Sequence, residues 1–293
     1  MSPKRGSGKR YVFVDPKTGD LVIRYPTNLG LPDFAENPGP QRAVRVVLPN
    51  HVDPLVSAHV TRDLPYDEYH YQYSLENGPA ARQRISDWVM IVPHREFVRE
   101  AAQPEGWSKG LPLTETPPDP RAAWYVNPPG FTLFWCSVSD PPWTAAIGPR
   151  ATLAGFAISG PARPGFLRNF FFWVDLNDPT RDMPNEVAVE ARPYMTLVGS
   201  SQERLLLGPA FPLDTPKNVI SSRLLDSVRE MIKMRELDAA SPFVRESMTI
   251  LDQFGATNAE SLSAASQRPV KFKTQPNGEM EKQLYSAITL DLE

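Results

Sequence analysis

The chain has 293 residues, a net charge of −3 and a pI near 5.9, with 41% hydrophobic and 22% charged residues. That length supports one large domain or two small ones with a substantial core, and the interspersed charges disfavour a nucleic-acid partner held by charge alone. The single cysteine, Cys136, excludes an intrachain disulfide and a cysteine metal cluster, and no stretch reaches the ~18 uninterrupted apolar residues of a membrane span.

Residues 1–10 hold Lys4, Arg5, Lys9 and Arg10 among glycines and read as a disordered basic tail. The apolar run after them, Tyr11–Val14, is too short for a secretory signal and meets Asp15 and Pro16. The expectation is a cytoplasmic protein, or an extracellular or envelope protein whose leader is absent. Tyr11–Val14 and Leu21–Tyr25 flank a link with Pro, Gly and Asp, the composition of a hairpin. Residues 26–42 read as a proline-punctuated loop, and Ala43–Leu48 as a short strand.

Proline is 32 of the 293 residues, twice the usual share of roughly 5%. It removes a backbone donor and fixes φ, so it separates short strands rather than interrupting long helices. In Tyr69–Leu75 every second residue is Tyr or Leu, which is period-two alternation. Arg84–Val92 is a second strand, and the two are expected to pair. Residues 103–130 read as loop, with Trp107 and Trp124 as anchors. Phe131–Val138, Ala151–Ser159, Phe170–Leu176, Glu186–Glu190, Tyr194–Val198 and Arg204–Leu207 complete a set of short strands. The fold class expected is mainly β: an antiparallel β-sandwich over residues 11–212, immunoglobulin-like or jelly-roll-like.

After Pro212 the pattern changes. Thr215 and Pro216, then Ser241 and Pro242, are helix starts. Leu224, Leu225, Val228, Met231 and Ile232 form one stripe; Val244, Met248 and Leu251 form another. A helical hairpin is expected over 213–256. Residues 257–293 are expected to be a linker and a terminal strand segment, with strands at Val270–Thr274 and Leu284–Leu292.

The chemistry is sparse. His51, His59, His70 and His94 show no metal-ligand spacing. The acidic clusters Asp63, Asp67 and Glu68, and Asp175, Asp178 and Asp182, lack the glycine and terminal glutamate of a calcium loop and fit turn chemistry. Cys136 sits in an apolar run and reads as a small buried hydrophobe. Ser137, Ser159, Ser200 and Ser201 have no elbow motif, and neither a phosphate loop nor a dinucleotide fingerprint occurs. No catalytic residue, metal or cofactor is predicted. The candidate binding residues are aromatic: Tyr69, Tyr71, Tyr73, Trp107, Trp124 and Trp143, as a surface for a protein or glycan.

Gly106 and Trp107, then Trp143, then Ile147–Ser159, together with Tyr71–Gly78, resemble the edges of sandwich modules in exported bacterial proteins. The resemblance rests on packing residues; it implies a sandwich and an exported origin and carries no catalytic residue. The function expected is a non-catalytic binding or structural module. The alternatives are a hydrolase with carboxylates on its rim loops, or a phage or envelope subunit that self-associates through an edge strand.

Overall fold

A computed structural model describes residues 11–29, 39–46, 51–113, 131–137, 145–172, 183–195, 202–256 and 270–292. The expected tail at 1–10 lies outside them.

Two antiparallel sheets form the sandwich. One has strand order β4-β5-β10-β7, from Pro54–Asp63, Glu68–Asn77, Thr152–Gly160 and Glu100–Ala102. The other has order β12-β11-β6-β9-β8, from Gln202–Phe211, Arg163–Phe172, Asp87–Val92, Phe131–Ser137 and Trp107–Leu113. Alternation decides which side of each strand faces in. Tyr71, Tyr73 and Leu75 of β5 and Phe156 and Ile158 of β10 meet Trp88, Met90, Leu133, Trp135 and Phe171 across the gap. Trp88 is the hub, edge-on to Tyr73 at 5.3 Å and to Phe156 at 5.2 Å, and stacked on Phe171 at 5.6 Å. Its indole N–H donates to Asn169 Oδ1 at 2.8 Å, so the ring is buried without an orphaned donor. The middle strand β6 is apolar on both faces because Val89 and Ile91 pack with Phe172 in a smaller cluster outside the sandwich.

Prolines and glycines sit where the ladder tolerates them. Pro164 pairs with Pro209 beside a register shift at Arg163 and Pro164, as proline within a sheet requires. Gly155, at φ 105°, forms the bulge of β10 between Ala154 and Phe156.

Five expectations are corrected. β5 and β6 do not pair with each other; they belong to opposite sheets, and the connection over 78–86 crosses between layers. Residues 107–113 form strand β8 rather than loop, because Trp107 is a core side chain. The strand expected at Glu186–Glu190 is instead part of helix α1, Asn185–Met195, whose Val187 and Ala191 are one helical turn apart on one buried face; most of the strand expected at Tyr194–Val198 lies outside the described residues. The terminal strand expected at Leu284–Leu292 is helix α4, Glu279–Leu292, in which Leu284, Ala287, Ile288 and Leu292 recur at helical spacing; 270–274 forms no strand. Finally, the sandwich expected over 11–212 occupies 54–211, and the strands before it are a separate sheet. In that sheet β1, β2 and β3 (Val12–Val14, Leu21–Pro26, Gln41–Val46) pack one face on α1 with a core of their own.

The helical hairpin forms as α2, Lys217–Lys233, and α3, Pro242–Ala256, joined by the Ser221 hydroxyl donating to the Leu251 carbonyl at 2.6 Å. Together with α4 it shares the sandwich core. The buried Gln283 of α4 donates from Nε2 to the Val56 carbonyl of β4 at 2.8 Å and accepts from the Leu207 amide of β12 at 3.1 Å. β4 and β12 are the outermost strands of their sheets, so one side chain satisfies backbone groups on both edges.

Candidate functional site

β4 and β5 pair without a slip from Pro54 opposite Asn77 to Asp63 opposite Glu68. The four residues between them turn the chain. Tyr66 N donates to the Asp63 carbonyl at 3.3 Å, and Asp67 takes a left-handed φ of 50°, a conformation that Asp tolerates. Arg62 Nη2 donates to Asp67 Oδ1 at 2.6 Å, and its guanidinium stands 5.6 Å over the Tyr69 ring. The Asp67 carboxylate holds the Arg62 pKa above its ordinary value. Glu68 reaches Arg99 at 3.8 Å. These contacts brace the turn from beneath and leave Leu64 71% and Tyr66 72% exposed, on either side of Pro65.

Behind the tip, the strand end is tied to the helices. Arg163 donates from Nε to Asp291 Oδ1 at 3.0 Å, from a second nitrogen to the Asp291 carbonyl, and from Nη1 to the Thr215 carbonyl at 3.4 Å. Burial pushes the Asp291 carboxyl up to about 8 against the pull of Arg163. Lys217 Nζ donates to the Leu292 carbonyl at 2.8 Å, a cation at a helix C-terminus. Gly160, opposite Tyr69, leaves no room for a side chain, since a Cβ there would overlap the Phe97 carbonyl oxygen.

The predicted aromatic surface is corrected. Tyr69, Tyr71, Tyr73 and Trp107 are buried, because their alternation marks the inner face of a sheet and not an open one. The Tyr71 and Tyr73 hydroxyls donate to the carbonyls of Ala162 at 2.7 Å and Leu207 at 3.0 Å, and Trp107 Nε1 donates to the Ala145 carbonyl at 3.0 Å. Trp124 and Trp143 lie outside the described residues, as do Asp175, Asp178 and Asp182.

The remaining polar candidates are dispersed. His59 and His70 point to the outer side of β4 and β5, opposite Gln72 and Thr61. His94 packs edge-on to Phe97 at 4.9 Å beside a shallow apolar notch of about 10 Å³ between Val92, Val98, Phe131 and Leu133. Among the described residues no three His, Cys, Asp or Glu side chains gather to hold a metal ion. Half-buried Cys136 lies 2.9 Å from the Ser108 hydroxyl, and burial pushes its thiol up, away from the thiolate a nucleophile needs. Asp87, opposite Cys136, accepts from Ser86 Oγ at 2.6 Å; burial pushes its carboxyl up to about 6. No described helix is long and apolar enough to cross a membrane.

Neither Leu64 nor Tyr66 is among the residues that alternation or spacing singles out. The available signal is an apolar pair around Pro65 just before the alternating run of β5, where the chain turns.

No family model and no curated protein matches the chain. Among solved structures, an uncharacterized protein from Nocardia farcinica, described as revealing an immunoglobulin-like fold, is 12% identical with a TM-score of 0.26 over 41% of this chain and 78% of that one. A likeness at that score supports no argument; the sandwich rests on this chain's own two sheets.

Proposed function

We propose that the chain is a non-catalytic binding module that grips a protein partner with the tip of its β4–β5 hairpin. The observation that carries this reading is the exposure of Leu64 and Tyr66 on a braced turn, when the neighbouring Tyr69, Tyr71 and Tyr73 are all buried. An apolar side chain in water gains roughly 1.5–3 kcal/mol when a partner covers it. A turn held by Arg62 and Asp67 loses little conformational freedom on docking. Sandwich modules present their loops at the ends of the layers, where ligands meet them. Leu64 and Pro65 are aliphatic, which suits a groove on a protein better than the flat stacking that a glycan requires. The neighbouring carboxylates favour this reading over a hydrolase. Asp67 and Glu68 are engaged by Arg62 and Arg99, which fits a part in holding the turn.

The test is site-specific photocrosslinking in the native source. A photoreactive phenylalanine replaces Tyr66 in one variant and the exposed Arg229 in another. A discrete protein adduct from position 66 and none from position 229 is expected. The same adducts from both positions, or none from 66, would refute the reading.

A further inference from the structure

Residues 270–277 form a strap that lies over α3 and leads into α4. Val270, Phe272, Thr274 and Pro276 are half-buried, while Lys271, Lys273, Gln275 and Asn277 are exposed. That alternation is how an extended peptide lies in a groove, with every second side chain turned in. The Phe272 ring stacks on Phe243 of α3 at 5.1 Å and tilts against Tyr285 of α4 at 5.1 Å.

Two carboxylates fasten the strap. Glu246 of α3 accepts the Lys273 amide on Oε1 at 2.8 Å and the Thr274 amide on Oε2 at 2.9 Å, and the same Oε2 accepts the Thr274 hydroxyl at 2.5 Å. Glu281 of α4 accepts the Asn277 amide at 2.6 Å and the Ser241 hydroxyl at 2.6 Å. Burial raises the Glu246 carboxyl, but the Thr274 hydroxyl and the two amides outweigh it and hold it below its ordinary value, so it is charged at neutral pH. The α3 end of the strap therefore depends on Thr274 arriving as a donor. A phosphothreonine brings a charge of about −2 and three acceptor oxygens to the same place, and like charge beside a carboxylate disrupts the contact.

We propose that Thr274 is the target of a protein kinase and that its phosphorylation releases the strap from α3. Thr274 Oγ1 attacks the γ-phosphorus of a nucleoside triphosphate held by the kinase. The new O–P bond forms as the bond to the β-phosphate oxygen breaks, the nucleoside diphosphate leaves, and the hydroxyl proton passes to a carboxylate of the kinase. Kinases select substrates partly by the charges around the acceptor. Exposed Lys271 and Lys273, three and one residues before Thr274, supply a basic pattern on a segment that is neither helix nor strand. The hydroxyls of Ser222, Ser227, Thr249 and Thr289 instead donate to carbonyls of their own helices, whose backbone is not free to lift. Release is local, because Gln283, Asp291 and Leu292 still tie α4 to the sandwich and to α2. It uncovers the Phe243 and Tyr285 rings that Phe272 had covered. The strap shares no residue with the Leu64–Tyr66 tip, and the two are independent.

The full chain is purified from its native source, in growth and in stationary phase, with phosphatases inhibited, and its phosphorylated residues are mapped by mass spectrometry. Hydrogen exchange is then followed in the wild type, Thr274→Glu and Thr274→Ser. Phosphate on Thr274 is expected in the native protein. In Thr274→Glu the strap amides should exchange roughly tenfold or more faster than in the wild type, the factor that a lost charge-assisted hydrogen bond is worth. Thr274→Ser keeps the donor and should exchange as the wild type does, and α2 and β12 should keep their protection in both variants. An unmodified Thr274 in both phases, phosphate on other hydroxyls alone, wild-type exchange in Thr274→Glu, or protection lost across α2 and β12 as well would each overturn the proposal.

Discussion

Buried carboxylates set the pH response of this chain. Asp87 and Glu236 are pushed up by burial to about 6, and Asp291 to about 8. Their ordinary values are near 4, so each binds its proton more tightly folded than unfolded. Stability from such groups is fully present below pH ~4 and is lost as pH rises through about 6 and then about 8. Asp20 works the other way. Burial raises its carboxyl, but the guanidinium groups of Arg82 and Arg45 outweigh this and hold it at about 2; its contribution is present above pH ~4 and is lost as pH falls toward 2. The melting temperature should therefore rise as pH is lowered from 9 to 5 and drop again below 4. In Asp291→Asn the slope between 7 and 9 should flatten, whatever the absolute loss from leaving Arg163 without its partner. A melting temperature that climbs steadily from pH 5 to 9 would show that these carboxyls are not buried as described.

Helix α4 is the element that closes the sandwich, and it was the least legible. Leu284, Ala287, Ile288 and Leu292 have the spacing of a helix face, but a short apolar run of this kind is not told from a strand by periodicity alone. The role of Gln283 was hidden entirely. Its partners lie 227 and 76 residues away on strands of opposite sheets, and nothing local records that a glutamine will complete two strand edges. By contrast, β5 and the α2–α3 hairpin were legible because local signals decided them: period-two tyrosines in one, Ser or Thr before Pro with a 3.6-residue stripe in the other. The small sheet is legible as a hairpin over Tyr11–Tyr25 and a short strand at Ala43–Leu48, but its separation from the sandwich depends on α1, which reads ambiguously from sequence. Gln283→Leu should cost about 1–3 kcal/mol, the loss expected when buried backbone groups at Val56 and Leu207 go unpaired. Urea unfolding with an unchanged m-value reads this directly; a loss under ~0.5 kcal/mol would mean that water replaces the glutamine without penalty.

Across the whole molecule, alternation reveals which residues share a face but not which face meets water. Of the aromatic residues singled out from the sequence, Tyr69, Tyr71, Tyr73 and Trp107 build the inner face, whereas the exposed tip comes from a turn that alternation does not describe. The resulting architecture has the small three-stranded sheet at one end, the Leu64–Tyr66 tip at the other, and an aromatic core between. Substitutions at the tip touch no buried contact, so stability should stay within about 0.5 kcal/mol of wild type. The most direct test is affinity purification from the native source of the wild type and of Leu64→Ser with Tyr66→Ser, read by quantitative mass spectrometry beside their melting curves. The account predicts a stoichiometric protein partner with the wild type that is lost from the double variant at an unchanged melting temperature. The same partner retained by the double variant, or none with the wild type, would contradict it.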